Sequence, residues 1–306
     1  RVVFNQPLAA LTALTPADVG AYSGVEGREG PALRIIAQGA VSITVECLVG
    51  WQHTRAALRF TLYADLPYID VDTRLYMQAR RKMIKLALPL ELSQTRAICE
   101  VPYGVAERTA DATEWSYSRW VRLETEDIAV GVANNGQNGF DVSADGALHL
   151  SISRGAVHSS WEGDPGGHPI DPAQSYTFMD QEQIDTRFRL LASKDVTAAL
   201  IAAALELNQP LERFYAYHVP HAPQMSEHPF LSVEPSTVVL GALKKAESEE
   251  ALIIRLVEMA GESVTATVRL EGGTPERIEF RPFEIRTFKV SKDGRWQPTN
   301  LLEEAT

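Results

Sequence analysis

The sequence predicts an all-β protein built from antiparallel β-sandwiches, with a single helix near residues 195–209. Apolar and polar residues alternate over many short segments, which is the pattern of strands that bury one face. Glycine, aspartate and proline separate these segments at short intervals, as in sandwich domains. One stretch, rich in alanine and leucine, departs from this period of two. We therefore predict a large β domain over residues 1–222 and a small β-sandwich over residues 223–306.

The alternation is clearest in four segments of the first predicted domain. In "YIDVDTRLYM", for example, Asp70, Asp72 and Arg74 occupy the side opposite the apolar residues. A strand places successive side chains on opposite faces, so each segment predicts one inward row. The four predicted inward rows are Leu58, Phe60 and Leu62; Ile69, Val71, Leu75 and Met77; Ile84, Leu86, Leu88, Leu90 and Leu92; and Leu148, Leu150 and Ile152.

The segment "DVTAALIAAALELNQP" (195–210) predicts the helix. Asp195 can cap its first turn, and Pro210 lies just past a natural end. The following segment, 217–230, is rich in proline and histidine and has little periodicity, which is typical of a linker. Strand-like alternation then resumes in "VTATVRL" and "FEIRTFKV", and this resumption predicts the second sandwich.

Composition narrows the classes of partner. The chain has 306 residues, is 45% hydrophobic and carries a net charge of −11, without a stripe of Lys or Arg. Nucleic acid and anionic membrane surfaces attract clustered cations, so we expect neither as a partner. No apolar run is long enough to span a bilayer. The two cysteines, Cys47 and Cys99, lie in strand-like runs and suit free thiols in a reducing cytoplasm, although one disulfide is not excluded.

The search for catalytic motifs gives few candidates. Glycine-rich phosphate loops, a G-x-S-x-G nucleophile turn and H-E-x-x-H are absent from the sequence. His218 and His221 are three residues apart, but Pro220 disfavours a shared helix face, so structural histidines are expected there. The segment "HSSWEGDPGGHPIDP", with Trp161 at its centre, predicts a loop that is either functional or merely solvated. These patterns by themselves single out neither a metal site nor a nucleophile.

The stretch "VPYGVAERTADATEWSYSRW" (101–120) combines carboxylates with aromatic residues, as sugar-cleaving sites do. A retaining glycosidase needs two carboxyl groups about 5–5.5 Å apart. Glu107 and Glu114 could meet this condition only if a turn folded the segment back. The alternative, which we favour, is an extended connection whose carboxylates pair with Arg108, Arg119 or Arg122.

Arg154 is a further candidate because it is the next member of the inward row that begins at Leu148. A charged group at the end of an inward row needs a partner or water. It therefore either lines a pocket at the sheet edge or closes the core with an ion pair.

Several segments together resemble the C-terminal half of the α-mannosidases of glycoside hydrolase family 38. "KMIKLALPLEL" is similar to the family's lysine-containing run that ends in a proline, and "VPYGVAER" is similar to its proline–aromatic–glycine segment. "NNGQNGFDV", "LHLSISR" and "TFMDQEQ" resemble its later turn and strands, in the same order. The resemblance covers nearly the whole chain.

The resemblance implies a large sandwich of the galactose-mutarotase-like "supersandwich" type, followed by a small C-terminal sandwich. The family hydrolyses α-mannosides with retention, using an aspartate nucleophile and zinc or another divalent metal in an N-terminal α/β barrel. The H-x-D sequence typical of that metal site does not occur in these 306 residues. We therefore expect the barrel, with its catalytic residues and its metal, to be missing from this chain, which begins without Met. We expect no catalytic residue and no bound cofactor in the chain itself.

Substrate-binding residues are expected from the resemblance as well. In some family members a residue from the β domains reaches the active site, and the corresponding candidates are Arg154, Asp180, Trp161 and Asn135. The sequence departs from the family pattern at Thr109, at Asn135 itself and at Glu182.

Three functions remain open at this point. The first is the non-catalytic C-terminal portion of a retaining α-mannosidase, whose partners are the enzyme's own N-terminal catalytic domain and an α-mannoside. The second is a stand-alone carbohydrate-binding or mutarotase-like sandwich, which requires a His and a Glu that converge on one face. For this role the predicted outward direction of His149 is unfavourable if the ligand face is the core side. The third is a structural sandwich that forms a homo-oligomer.

Overall fold

The computed structural model describes residues 10–23, 30–90, 92, 95–157, 171, 173–212 and 229–305. The chain divides into two compact units, one of Arg1–Glu100 and Ala106–Val196, the other of Val101–Val105 and Thr197–Thr306. In chain order, the elements before residue 197 are β1 (Thr12–Ala13), α1 (Pro16–Ser23), β2 (Leu33–Gln38), β3 (Ser42–Trp51), β4 (Thr54–Tyr63), β5 (Tyr68–Tyr76), β6 (Met83–Leu88), β7 (Arg96–Val101), β8 (Gly104–Arg108), β9 (Trp115–Ser116), β10 (Trp120–Glu124), β11 (Ala129–Asn134), β12 (Gly139–Val142), β13 (Leu148–Arg154) and β14 (Gln183–Ser193).

Two antiparallel sheets form the first unit. The larger sheet has ten strands in the order β1-β3-β4-β5-β14-β11-β10-β7-β8, with β2 paired to β3. The smaller sheet has four strands in the order β6-β13-β12-β9. One continuous core joins them, because Val71 and Phe188 of the large sheet pack with Leu86, Leu148 and Phe140 of the small sheet. The predicted all-β class with a large sandwich is therefore confirmed.

The predicted inward rows agree with this core. Ile69 and Val71 pack in it together with Leu58 and Phe60, and Leu86, Leu88, Leu90 and Leu92 line the same core from the small sheet. Leu75 and Met77 belong to a neighbouring buried cluster that also includes Ile84. Leu62 is the exception, since its side chain remains 42% exposed.

The outer face of the large sheet carries a ladder of alternating charges across five strands. The register aligns Arg34, Glu46, Arg59, Asp72 and Arg187 on β2, β3, β4, β5 and β14. Glu46 accepts from Arg34 at 2.7 Å and from Arg59 at 2.8 Å, and Arg187 contacts Asp72 at 2.5 Å. Burial would raise the pKa of the Glu46 carboxyl, but the two guanidinium groups outweigh it and lower that pKa. The polar side of the alternation is thus neutralised pair by pair.

The second unit is a smaller antiparallel sandwich. It holds a three-stranded sheet, β15-β18-β19, and a four-stranded sheet, β16-β17-β20-β21, around a core that includes Ile254, Leu256 and Phe288. Its elements are α2 (Thr197–Asn208), β15 (Leu231–Glu234), β16 (Val238–Lys245), β17 (Ala251–Glu258), β18 (Val264–Leu270), β19 (Glu276–Phe280), β20 (Ile285–Ser291) and β21 (Trp296–Thr299).

The helix predicted near 195–209 is confirmed as α2, in which Ile201 packs against Val257 and Met259. A second helix, α1, was not predicted. Its start follows a capping pattern, because Thr15 Oγ1 accepts the Asp18 N–H at 3.3 Å and donates to the Asp18 carboxylate at 2.7 Å. Pro16 at the first helical position is also typical of a helix start.

The predicted boundary between residues 222 and 223 lies within 213–228, outside the described residues, and stays a prediction. The two cysteines are free thiols, with Cys99 buried and Cys47 half-buried.

Candidate functional site

Five polar side chains converge on the outer face of the four-stranded sheet. The register places Ser151 opposite Lys85 and Gly139, and His149 opposite Asp141, so these residues share the face turned away from the core. Glu114, which precedes β9, reaches the same face. We call Lys85, Glu114, Asp141, His149 and Ser151 the polar cluster.

Lys85 occupies the centre of the polar cluster. Its ammonium group contacts both the Glu114 and the Asp141 carboxylates, and its side chain is 7% exposed. The two carboxylates are also largely buried, at 16% and 9% exposure. Burial of charge is costly unless partners compensate it, and one ammonium shared by two carboxylates supplies that compensation.

His149 completes the neutralisation of Asp141. Its Nδ1 lies 2.8 Å from Asp141 Oδ1, while the imidazole stays 30% exposed. Burial would raise the pKa of the Asp141 carboxyl, but hydrogen bonds from His149 and Lys85 outweigh it and lower that pKa below its ordinary value. Asp141 is therefore an ionised group and a poor proton donor at neutral pH.

Both oxygens of Glu114 are occupied. Lys85 contacts Oε2, and the Ser151 hydroxyl donates to Oε1. Gly139 provides the space for this carboxylate, since a Cβ at that position would lie 2.7 Å from Glu114 Oε1 and 3.1 Å from Ser151 Cβ. The Glu114 carboxylate thus occupies space that a side chain at position 139 would enter.

This geometry is unlike a glycosidase pair. Glu114 and Asp141 share one ammonium group, so their carboxylates are close, but Lys85 stands between them. A retaining enzyme needs one carboxylate free to attack carbon and one carboxylic acid with a raised pKa. Both carboxylates of the polar cluster are bound to Lys85, and the pKa of the Asp141 carboxyl is lowered, so the chemistry of the cluster is that of a neutralised, hydrogen-bonded face.

The catalytic pair of Glu107 and Glu114, which we considered for the 101–120 stretch but did not favour, is not formed. Glu107 lies on β8 and pairs with Arg96 at 2.8 Å, on an exposed surface, whereas Glu114 belongs to the polar cluster. The prediction that these carboxylates pair with Arg108, Arg119 or Arg122 is wrong, because their partners are Arg96 and Lys85. Arg108 instead stacks on the Trp115 ring at 4.7 Å. The stretch is the extended connection that we favoured, although its ion pairs reach β6 and β7.

Arg119 has a buried partner, Glu100, in strand β7. Glu100, 2% exposed, accepts the Arg119 backbone N–H at 2.9 Å and its guanidinium. Trp120 is 1% exposed and packs rather than offering a ring to a sugar.

A β-bulge corrects the expected position of Arg154. The pairing of β13 with β6 shifts between Ser151 and Ser153, after which Arg154 aligns with Met83. A bulge adds one residue and so exchanges the faces of everything beyond it. Arg154 consequently does not continue the inward row. It is exposed and lies on the polar-cluster face, where Ser151 Oγ is 3.6 Å from Met83 Sδ.

Two of the four predicted substrate-binding residues are neighbours. Asp180 Oδ2 accepts the Arg154 backbone N–H at 3.2 Å, beyond the end of β13. Asn135 lies apart from them in sequence and in contacts, since its Oδ1 accepts the Arg187 N–H of β14 at 2.8 Å. Trp161 lies outside the described residues. The role of these four residues in binding substrate stays a prediction.

Lys85 and Asp141 were not singled out from the sequence. The signal that could have found them is the polar side of the alternation on three strands, in "MIKLAL", "GFDV" and "LHLSISR". Sequence alone does not say that these strands are neighbours, and the order β6-β13-β12-β9 is what brings the five side chains together.

Metal ligands do not cluster in the described ranges: no group of three or more His, Cys, Asp or Glu side chains there could hold an ion. Neither α1 nor α2, the helices of the described part, has the length and apolar character needed to cross a bilayer.

Two family profiles match the chain. The profile described as "Glycosyl hydrolases family 38 C-terminal domain" matches residues 21–165, which include all of the polar cluster. The profile described as "Glycosyl hydrolases family 38 C-terminal beta sandwich domain" matches residues 237–288, within the second unit. Among curated proteins, none matches the chain in sequence.

Solved structures with a similar fold include two from Enterococcus faecalis. An α-mannosidase from strain V583 superimposes with a TM-score of 0.68 at 14% identity, over 84% of this chain and 34% of that one. A protein in glycosyl hydrolase family 38 gives 0.69 at 14% identity, over 84% and 36%. The chain therefore spans about a third of the length of these relatives.

Proposed function

This chain belongs to glycoside hydrolase family 38, carrying domains of its C-terminal region, and we propose that it is the non-catalytic β-sandwich portion of a retaining α-mannosidase. In this role it supports a catalytic domain that lies outside the present sequence. The nucleophile and a divalent metal, zinc or another, belong to that domain. The solved α-mannosidase from Enterococcus faecalis, which shares the fold and is about two and a half times as long, supports the proposal.

The observation that carries the proposal is the state of the polar cluster. Glu114 and Asp141 are two largely buried carboxylates on the outer face of the four-stranded sheet, and both are bound to Lys85. Attack on a glycosidic carbon requires a carboxylate oxygen that can reach that carbon, and leaving-group protonation requires a protonated acid. A carboxylate pair that is neutralised by an internal lysine is suited to shaping a surface instead.

The polar-cluster face is the surface we assign to the sugar or to the catalytic domain. Its accessible groups are the imidazole of His149 and, past the bulge, the guanidinium of Arg154. A face with a few fixed polar groups and a rigid sheet beneath can orient hydroxyl groups without chemistry of its own. Contribution to sugar binding by Arg154 and Asp180 belongs to this proposal.

Hydrolysis of 4-nitrophenyl α-mannoside tests the proposal. The purified chain is assayed alone and with zinc, cobalt, manganese or calcium, beside a heat-denatured sample of the same chain. We expect equal rates in all samples. Metal-dependent turnover that is lost in Glu114→Gln or Asp141→Asn would mean that the catalytic groups lie in this chain.

A stand-alone mutarotase-like domain is the second candidate, and one contact favours it. His149 is hydrogen-bonded to Asp141 through Nδ1, which leaves Nε2 for a ligand, and Glu114 lies in the same cluster. An imidazole held by a carboxylate can move a proton to or from a sugar hydroxyl. Polarimetry of α-galactose or α-mannose with wild type and His149→Gln decides this: acceleration that His149→Gln abolishes supports it, and equal rates exclude it.

A further inference from the structure

Four cationic residues are brought together by the backbone where β5 connects to β6, beside the end of β13. Arg80, Arg81 and Lys82 belong to that connection, Arg154 ends β13, and all four are exposed. Two backbone hydrogen bonds join the β5–β6 connection to the residue that follows β13. The Arg81 N–H donates to the Gly155 carbonyl at 2.6 Å, and the Gly155 N–H donates to the Lys82 carbonyl at 2.9 Å. We call Arg80, Arg81, Lys82 and Arg154 the cation cluster.

The backbone at the cation cluster is closely fitted. A Cβ on Gly155 would lie 2.3 Å from the Ala79 carbonyl oxygen, so the two segments touch through main-chain atoms. Arg81 has a φ of 57° and Asp180 a φ of 54°, conformations that cost energy in residues other than glycine and that are frequent at functional sites. The guanidinium of Arg80 is held 5.3 Å from the centre of the Phe178 ring.

The charge at this place opposes that of the whole chain. Two acidic residues of the described part lie beside it: Asp180, which accepts the Arg154 backbone N–H, and Glu182, whose carbonyl accepts the Met77 N–H. Counted over these described residues, four positive charges face two negative ones, whereas the net charge of the whole chain is −11. Among the described residues, no carboxylate forms an ion pair with any of the four cations.

We propose that the cation cluster binds a compact oxyanion, namely the phosphate or carboxylate group of a small molecule. Guanidinium groups offer planar, paired donors that match such anions, and charge-assisted hydrogen bonds are the stronger kind. Because the two segments are joined through backbone atoms, the main-chain positions that carry the cations are fixed before binding, which lowers the cost of bringing these residues together.

The location adds a preference for the rest of the ligand. Met83 lies between Arg154 and Ser151 on the same face, so an anion held by Arg154 leaves its carrier above the polar cluster. Under the proposed function, the carrier is a sugar and the ligand a phosphorylated or acidic sugar. The inference that the carrier is a sugar rests on the proposed function, whereas the oxyanion site does not.

The test is calorimetric titration of the purified chain with inorganic phosphate, mannose 6-phosphate, glucuronate and mannose. The variant is Arg81→Gln, Lys82→Gln and Arg154→Gln together, because these residues make their folding contacts through main-chain atoms. The matched control is Lys245→Gln, Arg277→Gln and Lys292→Gln, three exposed cations of the second unit, which changes the net charge equally.

We expect saturable phosphate binding that weakens as NaCl is raised, since salt screens charges over about 8 Å at 0.15 M. Binding should fall at least about tenfold in the variant, the effect of losing one or more charge-assisted hydrogen bonds, and should be unchanged in the control. Tighter binding of mannose 6-phosphate than of phosphate supports a sugar carrier, while equal binding of the two overturns the inference that the carrier is a sugar.

Absence of saturable phosphate binding, or equal losses in variant and control, would overturn the oxyanion site itself. Circular dichroism of both variants excludes unfolding as the cause of a loss. The proposed function can fail independently: a chain that binds phosphate and also hydrolyses mannosides would keep the oxyanion site and contradict the non-catalytic role.

Discussion

The Lys85→Met substitution removes the ammonium group that Glu114 and Asp141 share. Methionine keeps most of the apolar stem of lysine, so the substitution leaves little cavity. Its effect on stability therefore reports the loss of the positive charge rather than a loss of packing. Two largely buried carboxylates would then face each other, with Asp141 still held by His149 and Glu114 by Ser151.

The expected loss of stability follows from the burial of the two carboxylates. Removing one partner of a buried ion pair costs about 3–5 kcal/mol. Because Glu114 is 16% exposed and His149 stays beside Asp141, we expect the lower end of that range. For a unit of this size, a loss of about 3 kcal/mol lowers the unfolding midpoint by about 6–12 °C.

The assay is urea and thermal unfolding followed by circular dichroism between pH 5 and 8. In the wild type, the pKa of the Asp141 carboxyl is lowered, so its contribution is present above the unfolded value of about 3.9 and is lost as pH falls through the folded value. In Lys85→Met the two carboxylates repel each other, and the pKa of the Asp141 carboxyl rises because the ammonium group that lowered it is gone. The deficit should be largest at pH 7–8 and should shrink toward pH 5.

Lys82→Met is the matched control, since it makes the same chemical change at an exposed position three residues earlier. Its effect should stay within about 0.5 kcal/mol. Adding Glu114→Gln and Asp141→Asn to Lys85→Met should restore much of the stability, because no unpaired charge then remains. Equal losses in the two lysine variants, or a deficit independent of pH, would refute the electrostatic account of the polar cluster.

Three further predictions concern stability and titration. Glu258→Gln should destabilise the second unit by about 1–3 kcal/mol, because the buried carboxylate accepts four backbone N–H groups. Gly139→Ala should destabilise the first unit by about 1–3 kcal/mol, since its Cβ would press on Glu114. Burial and the hydrogen bond to Asp70 raise the pKa of Tyr63 to about 12, so one phenolate should appear near that pH, and Asp70→Asn should lower it.

Each of these predictions has a direct check. Denaturant midpoints of the two units measure the first two, with the exposed changes Glu271→Gln and Gly39→Ala as controls for chemistry alone, since a Cβ on Gly39 would meet no atom within 4 Å. A Glu258→Gln midpoint equal to that of Glu271→Gln would contradict the capping role, and a Gly139→Ala midpoint equal to wild type would contradict the tight packing. Ultraviolet absorbance of phenolate follows Tyr63, with Tyr63→Phe assigning the signal.

The strands and their faces could be predicted from the sequence because period-two alternation is a local property. The alternation predicted the inward residues of β5 and β6, and the stretch that departs from it predicted the helix α2. It failed at Arg154, where the bulge at Ser151–Ser153 reverses the faces without any change in the alternation that precedes it. The helix α1 was missed as well, although Thr15, Pro16 and Asp18 carry a local start signal.

The candidate site could not be predicted, because it depends on which strands are neighbours. Lys85 and Asp141 are 56 residues apart, and the contact arises from the pairing of β6, β13 and β12. Glu114 drew notice in the sequence for its aromatic neighbours, yet its partners lie on other strands. Charged residues on a polar face can pair in many ways, and only the sheet order selects among them.

Intact mass spectrometry after incubation with 5-fluoro-mannosyl fluoride tests the central claim, that this chain lacks the groups that cleave a mannoside. A retaining mannosidase attacks this reagent through its carboxylate nucleophile and keeps the sugar as a slowly hydrolysed ester. We predict that the chain retains its unmodified mass, with or without zinc, because Lys85 and Ser151 occupy Glu114 while Lys85 and His149 occupy Asp141. Addition of one glycosyl group to the wild type, absent in Glu114→Gln or Asp141→Asn, would contradict the account.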